Sequence, residues 1–141
     1  MKLKALIERI PGRVLTHGSM DVDILELCVD SRKAAPGALF FCTPGLQVDA
    51  HDFAPQAVEK GAVALVVERR LDLDIPQVRV EDVRTAVSYM AAEFYGRPAE
   101  ELMMLGITGT KGKTTTSFLI KSIMEQAGMK TGLIGTVGSM I

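Results

Sequence analysis

The chain has 141 residues, the length of one ordinary domain or of one small domain with part of another, and 48% of them are hydrophobic against 23% charged. That balance excludes a disordered chain, and a formal net charge of -1 leaves no global field to draw in nucleic acid or anionic lipid. Any anion must be held locally.

Leu3, Leu6, Ile7 and Ile10 fall on one face of a helix over 3–10, which Pro11-Gly12 ends. The same segment lacks the long apolar core of a targeting sequence, and no window approaches bilayer length. The reading is a cytoplasmic protein without a membrane partner. Ile24 to Val29 is a short apolar run that predicts a strand, followed by the polar turn Asp30-Ser31-Arg32. "PGALFFCTPG" predicts a second strand between two Pro/Gly signals. Cys28 and Cys42 lie inside these apolar runs with no metal-ligand spacing, so buried free thiols are expected. "HDFAPQAVEKG" reads as a helix stopped by Gly61, "AVALVVE" as a buried strand, and Gln77 to Val80 as a weaker one. Asp82 then caps a helix whose stripe is Val83, Val87, Met90, Ala91 and Phe94, ending at Gly96. Tyr89, Phe94 and Tyr95 on this helix are expected to serve core or hinge packing.

Arg97-Pro98 and the acidic residues after it suit a domain boundary, giving domains at 1–98 and 99–141. Beyond it the pattern restarts with a strand over 102–107, a loop over 108–113, a helix over 114–127 and a strand over 131–136. Alternating strands and helices predict an α/β fold with mainly parallel pairing: a small N-terminal α/β domain, then the start of a second parallel-sheet domain.

The loop is the most informative stretch. "GITGTKGKTTT", 106–116, sits between a strand-like and a helix-like segment. Gly109 and Gly112 let the backbone approach phosphate oxygens, the helix start offers N–H groups, Lys113 supplies a charge and Thr114 a hydroxyl for Mg²⁺. The strict Walker spacing fails because Ile107 stands where its first glycine belongs. The alternative is a Gly-rich turn with solvated lysines. The glycine-lysine-threonine run at a strand-to-helix junction favours a triphosphate loop.

This form of the loop closely resembles the ATP loop of the Mur ligase family, enzymes that add amino acids to UDP-N-acetylmuramate in peptidoglycan assembly; the family commonly has Asn where Lys111 stands. The upstream "VDSRKAAPGALFFCTPGLQVDAHDFAPQAVEKGAVALVVE" is similar to the uridine-binding domain of the branches that add the third stem residue and the final dipeptide. Those branches share a D-S/T-R turn, a P-G-x-L-F strand and G-x-x-x-D-G-H-x-F, where Ala50 here replaces a glycine. Thr110, and "GLIGTVGSMI" at 132–141, resemble the branch that adds the third residue, meso-diaminopimelate or L-lysine, to UDP-MurNAc-L-Ala-D-Glu.

The resemblance implies that Val29, Ser31, Leu46, Gln47 and Val48 contact the uridine end of the substrate. It implies that Thr108, Gly109, Thr110, Lys111, Gly112, Lys113, Thr114 and Thr115 wrap the phosphates of ATP. Lys113 would be the catalytic charge at the γ-phosphate and Thr114 a Mg²⁺ ligand. Phosphoryl transfer would activate the substrate carboxylate as an acyl phosphate, which the incoming amine attacks. Asp49 and His51 are expected to tie their loop together. Arg32 has three options: Asp30, a diphosphate or solvent. Thr136 has two options, an approach to the substrate or, the expected one, strand packing. In the family a magnesium-binding glutamate, a carbamylated lysine and an amino-acid-selecting domain come later in the chain, so residues 1–141 alone are expected to bind parts of the ligands and not to ligate. Alternatives are the family branch that joins D-Ala-D-Ala to the tripeptide, and a non-catalytic nucleotide-binding module.

Overall fold

Residues of a strand alternate between the two faces of its sheet, and the strands of this protein fill both faces. The computed structural model describes residues 1–45 and 48–141, which divide into two compact units, Met1–Glu101 and Leu102–Ile141. Along the first unit run α1 (Leu3–Ile7), β1 (Leu15–His17), β2 (Glu26–Cys28), β3 (Ala38–Phe41), α2 (Ala54–Glu59), β4 (Ala62–Val67), β5 (Gln77–Arg79), α3 (Val83–Phe94) and α4 (Pro98–Glu101). Turns of 3-10 helix lie at Ser31–Lys33 and Ala50–Phe53.

The five strands form one sheet in the order β1-β5-β4-β3-β2. Pairs β2/β3, β3/β4 and β4/β5 are parallel, and β1 joins the edge antiparallel to β5. On one face Leu39 and Phe41 of β3, Ala64 and Val66 of β4 and Val78 of β5 pack with Leu3 and Leu6 of α1 and Val83, Ala86 and Met90 of α3. On the other face Ala38, Phe40, Leu65 and Val67 pack with Ala54 and Ala57 of α2. Two covered faces explain why β3 and β4 read as unbroken apolar runs. Cys28 and Cys42 are buried free thiols in the second of these layers. Burial pushes the Cys42 thiol up to about 12.

The elements of this unit answer to local signals. Asp82 accepts from the Arg84 N–H at the start of α3, and its carboxyl is held below its ordinary range, first by the Thr85 hydroxyl. β1 was not expected from the sequence. Its three residues are all exposed and show no alternation. Of the expected stripe on α3, Val83 and Met90 are buried and Val87, Ala91 and Phe94 half-buried, Ala86 adds a buried residue that the stripe did not include, and Tyr89 and Tyr95 are exposed, contrary to their expected packing role. Tyr95 instead stands edge-on to Phe94, ring centroids 5.2 Å apart.

The second unit holds α5 (Lys113–Gln126), β6 (Leu133–Gly135) and β7 (Gly138–Met140), with β6 and β7 forming an antiparallel pair. Two expectations fail in it. Residues 102–107 form no strand, because a strand exists only where a neighbour takes up its N–H and C=O groups, and none of the described strands pairs with this run. The predicted strand over 131–136 is shorter and turns back into β7 instead of entering a parallel sheet, which leaves Thr136 exposed in the turn.

Candidate functional site

Parallel register brings the ends of β2, β3 and β4 to one edge of the sheet, since Cys28 lies opposite Phe40 and Phe40 opposite Leu65. Connections leaving the carboxyl ends of parallel strands are where α/β sheets place their ligands. Two of the predicted segments leave from this edge: residues 29–31 after β2 and the loop after β3.

Past β2 the chain turns sharply. Asp30 accepts from the Arg32 N–H and takes both Nε and Nη2 of Arg32 at 2.9 Å. Of the three options for Arg32 the structure has the Asp30 pair, and those bonds hold the Asp30 carboxyl down to about 2. The turn leaves Val29 exposed and Ser31 nearly buried, at 58% and 8% exposure. The Ser31 hydroxyl donates to Oε1 of Gln56 on α2 at 2.8 Å. Gln56 was not foreseen; it stands 25 residues from Ser31, and no local pattern links them.

The loop after β3 is pinned from three sides. Its base closes through Ala50 N–H to Thr43 O and Gly45 N–H to Val48 O. A Cβ at Gly45 would lie 2.3 Å from the Val48 carbonyl oxygen, so only glycine fits there. Asp49 is the hub: one carboxylate oxygen accepts from the His51 N–H and Nδ1, and the other takes Arg69 Nη1 at 2.6 Å. His51 is buried, and its Nε2 accepts the Glu68 N–H at 3.0 Å. A backbone N–H can only donate, so the ring proton sits on Nδ1, facing Asp49. Arg84 at the start of α3 adds a bond to Pro44 O. Asp49 and His51 therefore tie the loop to the end of β4, with Arg69 and Arg84 as partners that no sequence motif announced. Of the predicted contact residues here, Val48 is exposed, and Leu46 and Gln47 lie outside the described residues.

The other predicted group, Thr108 to Thr115, is contiguous and exposed at the start of α5. Gly112 holds φ +77°, a left-handed conformation that a side chain would resist, and has no side-chain cap to offer the helix. The N–H groups of the first turn are therefore not answered by a capping side chain, which leaves them for an anion to meet. Lys113 folds back so that its amine donates to Gly109 O, which sets its charge over the loop. This arrangement fits a triphosphate. Thr114 has a hydroxyl of the kind that a Mg²⁺ ion would accept, and one protein oxygen would suffice for a cation that keeps waters and phosphate oxygens. Among the described residues no group of three or more His, Cys, Asp or Glu side chains could hold a metal. A cleft of about 530 Å³ lined by Arg13, Leu15, Glu68, Arg79, Val80 and Glu81 contains none of the predicted contact residues.

Residues 23–95, just over half of the chain, match the family model described as Mur ligase family, catalytic domain. A UDP-N-acetylmuramoyl-L-alanyl-D-glutamate--2,6-diaminopimelate ligase of Geobacillus thermodenitrificans is 51% identical over 141 residues, 100% of this chain and 29% of that protein. The chain thus spans less than a third of the length of this relative. Among solved structures, a UDP-N-acetylmuramoyl-L-alanyl-D-glutamate--2,6-diaminopimelate ligase superposes with TM-score 0.65 at 27% identity, over 83% of this chain and 24% of that one. The MurF ligase of Thermotoga maritima in complex with ADP gives TM-score 0.56 at 27% identity, over 72% and 23%.

Proposed function

Because the chain belongs to the Mur ligase family, we propose that it is part of an ATP-dependent ligase that adds meso-diaminopimelate to UDP-MurNAc-L-Ala-D-Glu. The observation that carries this reading is the 51% identity, along the whole chain, to a ligase named for that reaction. The sequence left diaminopimelate and L-lysine open, and the relative's name favours diaminopimelate. The branch that adds the final dipeptide has less support, since a MurF structure from Acinetobacter baumannii is 36% identical over 73% of this chain against 51% over all of it for the diaminopimelate ligase.

In this reading residues 1–98 bind the uridine end of the substrate and residues 99–141 begin the ATP-binding domain. Val29, Ser31, Leu46, Gln47 and Val48 contact the uridine, and the Asp49 hub holds their loop in place. Thr108 to Thr115 cradle the phosphates through backbone N–H groups. Lys113 balances charge on the transferring phosphoryl group, and Thr114 holds Mg²⁺, which supplies further charge neutralisation. The substrate carboxylate becomes an acyl phosphate, and the amine of diaminopimelate displaces the phosphate. The reaction belongs to peptidoglycan precursor assembly in the cytoplasm and to the full-length protein. Phosphate release from Mg-ATP by that protein tests the reading. Release should require UDP-MurNAc-L-Ala-D-Glu and diaminopimelate together, and Lys113→Ala should lower it about 10²-fold or more. Release that ignores either substrate would overturn it.

A further inference from the structure

A serine hydroxyl has one hydrogen to give and two lone pairs to offer. At Ser31 the hydrogen is committed to Gln56 Oε1 at 2.8 Å. Three carbonyls of the turn are also engaged: that of Ser31 accepts the Ala34 N–H, that of Asp30 the Cys28 thiol, and that of Arg32 the Lys60 amine. What the Ser31 side chain can still present to a ligand is the lone pairs of its hydroxyl. Gln56 is well placed to keep it so. It rides on α2, whose Ala54 and Ala57 are fully buried against the sheet, so its Cα does not drift, while its own side chain lies on the exposed side of the helix.

We propose that Gln56 is a positioning residue for pyrimidine selection, holding the Ser31 hydroxyl as an acceptor so that the site takes the N3–H of uracil and refuses cytosine. The proposal rests on the reading of Ser31 as a uridine contact. Uracil carries a hydrogen on N3 and cytosine a lone pair. An acceptor-only oxygen bonds the first and opposes the second, whereas a hydroxyl free to rotate serves both. Gln56 touches no ligand in this scheme and acts only by withdrawing Ser31's freedom to donate.

The test is calorimetric binding of UDP and CDP to the full-length protein and to Gln56→Leu, Gln56→Ala and Gln56→Glu, each variant first shown by its thermal melt to be folded. The wild type should prefer UDP by about tenfold or more, the cost of facing a buried acceptor with another acceptor. Gln56→Leu and Gln56→Ala should bring the two nucleotides within about threefold of each other, because the freed hydroxyl can donate to cytosine N3. Gln56→Glu, whose carboxylate still accepts from Ser31, should restore the preference. A purely structural role for Gln56 would weaken both nucleotides alike and leave their ratio unchanged, and that result overturns the proposal. Equal binding of UDP and CDP by the wild type also overturns it. No UDP binding by the wild type would overturn the uridine reading of Ser31 itself, and the proposal with it.

Discussion

Asp49 shows how much one side chain can organise. Its carboxyl is held well below the usual carboxylate range, first by the Arg69 guanidinium and then by the His51 N–H. The folded value lies below the unfolded one, so the unfolded chain binds the extra proton as the medium acidifies. The stabilisation is complete above the unfolded value of about 3.9 and fades as pH falls through it toward the folded value. The exposed Arg69 pair contributes little of this in salt; the larger loss on truncation is the partner of buried His51. Asp49→Ala should therefore cost about 1–3 kcal/mol at neutral pH and flatten the acid limb of a stability curve measured by urea unfolding between pH 3 and 7. An unchanged acid limb would show that the hub carries no linkage. The role of Asp49 and His51 as loop ties was legible because a turn-forming Asp with His two residues later is a local pattern. Arg69, Arg84 and Gln56 were not, because their partners lie 20, 40 and 25 residues away and only the packing of elements brings them near.

At the scale of elements, caps and breakers were legible and pairing was not. Asp82 before an apolar stripe announced α3, and the structure has its carboxylate on the Arg84 N–H at 2.9 Å. Asp82→Ala should lower stability by removing the cap, seen as a lower melting temperature with unchanged circular dichroism at room temperature; an unchanged melting temperature would mean that the cap is redundant. β1 escaped notice because an edge strand with every residue exposed carries no hydrophobic signature. The run at 102–107 produced the opposite error. Leu102, Met103, Met104 and Leu105 are as apolar as a buried strand, yet all are more than half exposed. Apolar composition records what a segment is suited to pair with, and the ladder itself needs a partner.

At the scale of the molecule the two units differ in how much they bury. The first encloses two core layers, one on each face of the sheet, while in the second only Leu133 reaches burial among the described residues. A chain of residues 1–101 should accordingly fold alone, with a cooperative thermal transition within a few degrees of that of residues 1–141; a broad, non-cooperative melt would show that the first unit depends on the second for its stability. The parallel α/β character of the first unit was legible, because continuous apolar runs alternate there with helical segments; that of the second was not, since its strands form only an antiparallel pair. The ligase reading depends on both units serving one reaction. Its most direct test incubates the full-length protein with Mg-ATP, UDP-MurNAc-L-Ala-D-Glu and a panel of amino acids, and weighs the nucleotide product by mass spectrometry. The expected result is a mass gain equal to one diaminopimelate residue. No gain with any amino acid, together with a gain when the tripeptide nucleotide and D-Ala-D-Ala are supplied instead, would contradict it.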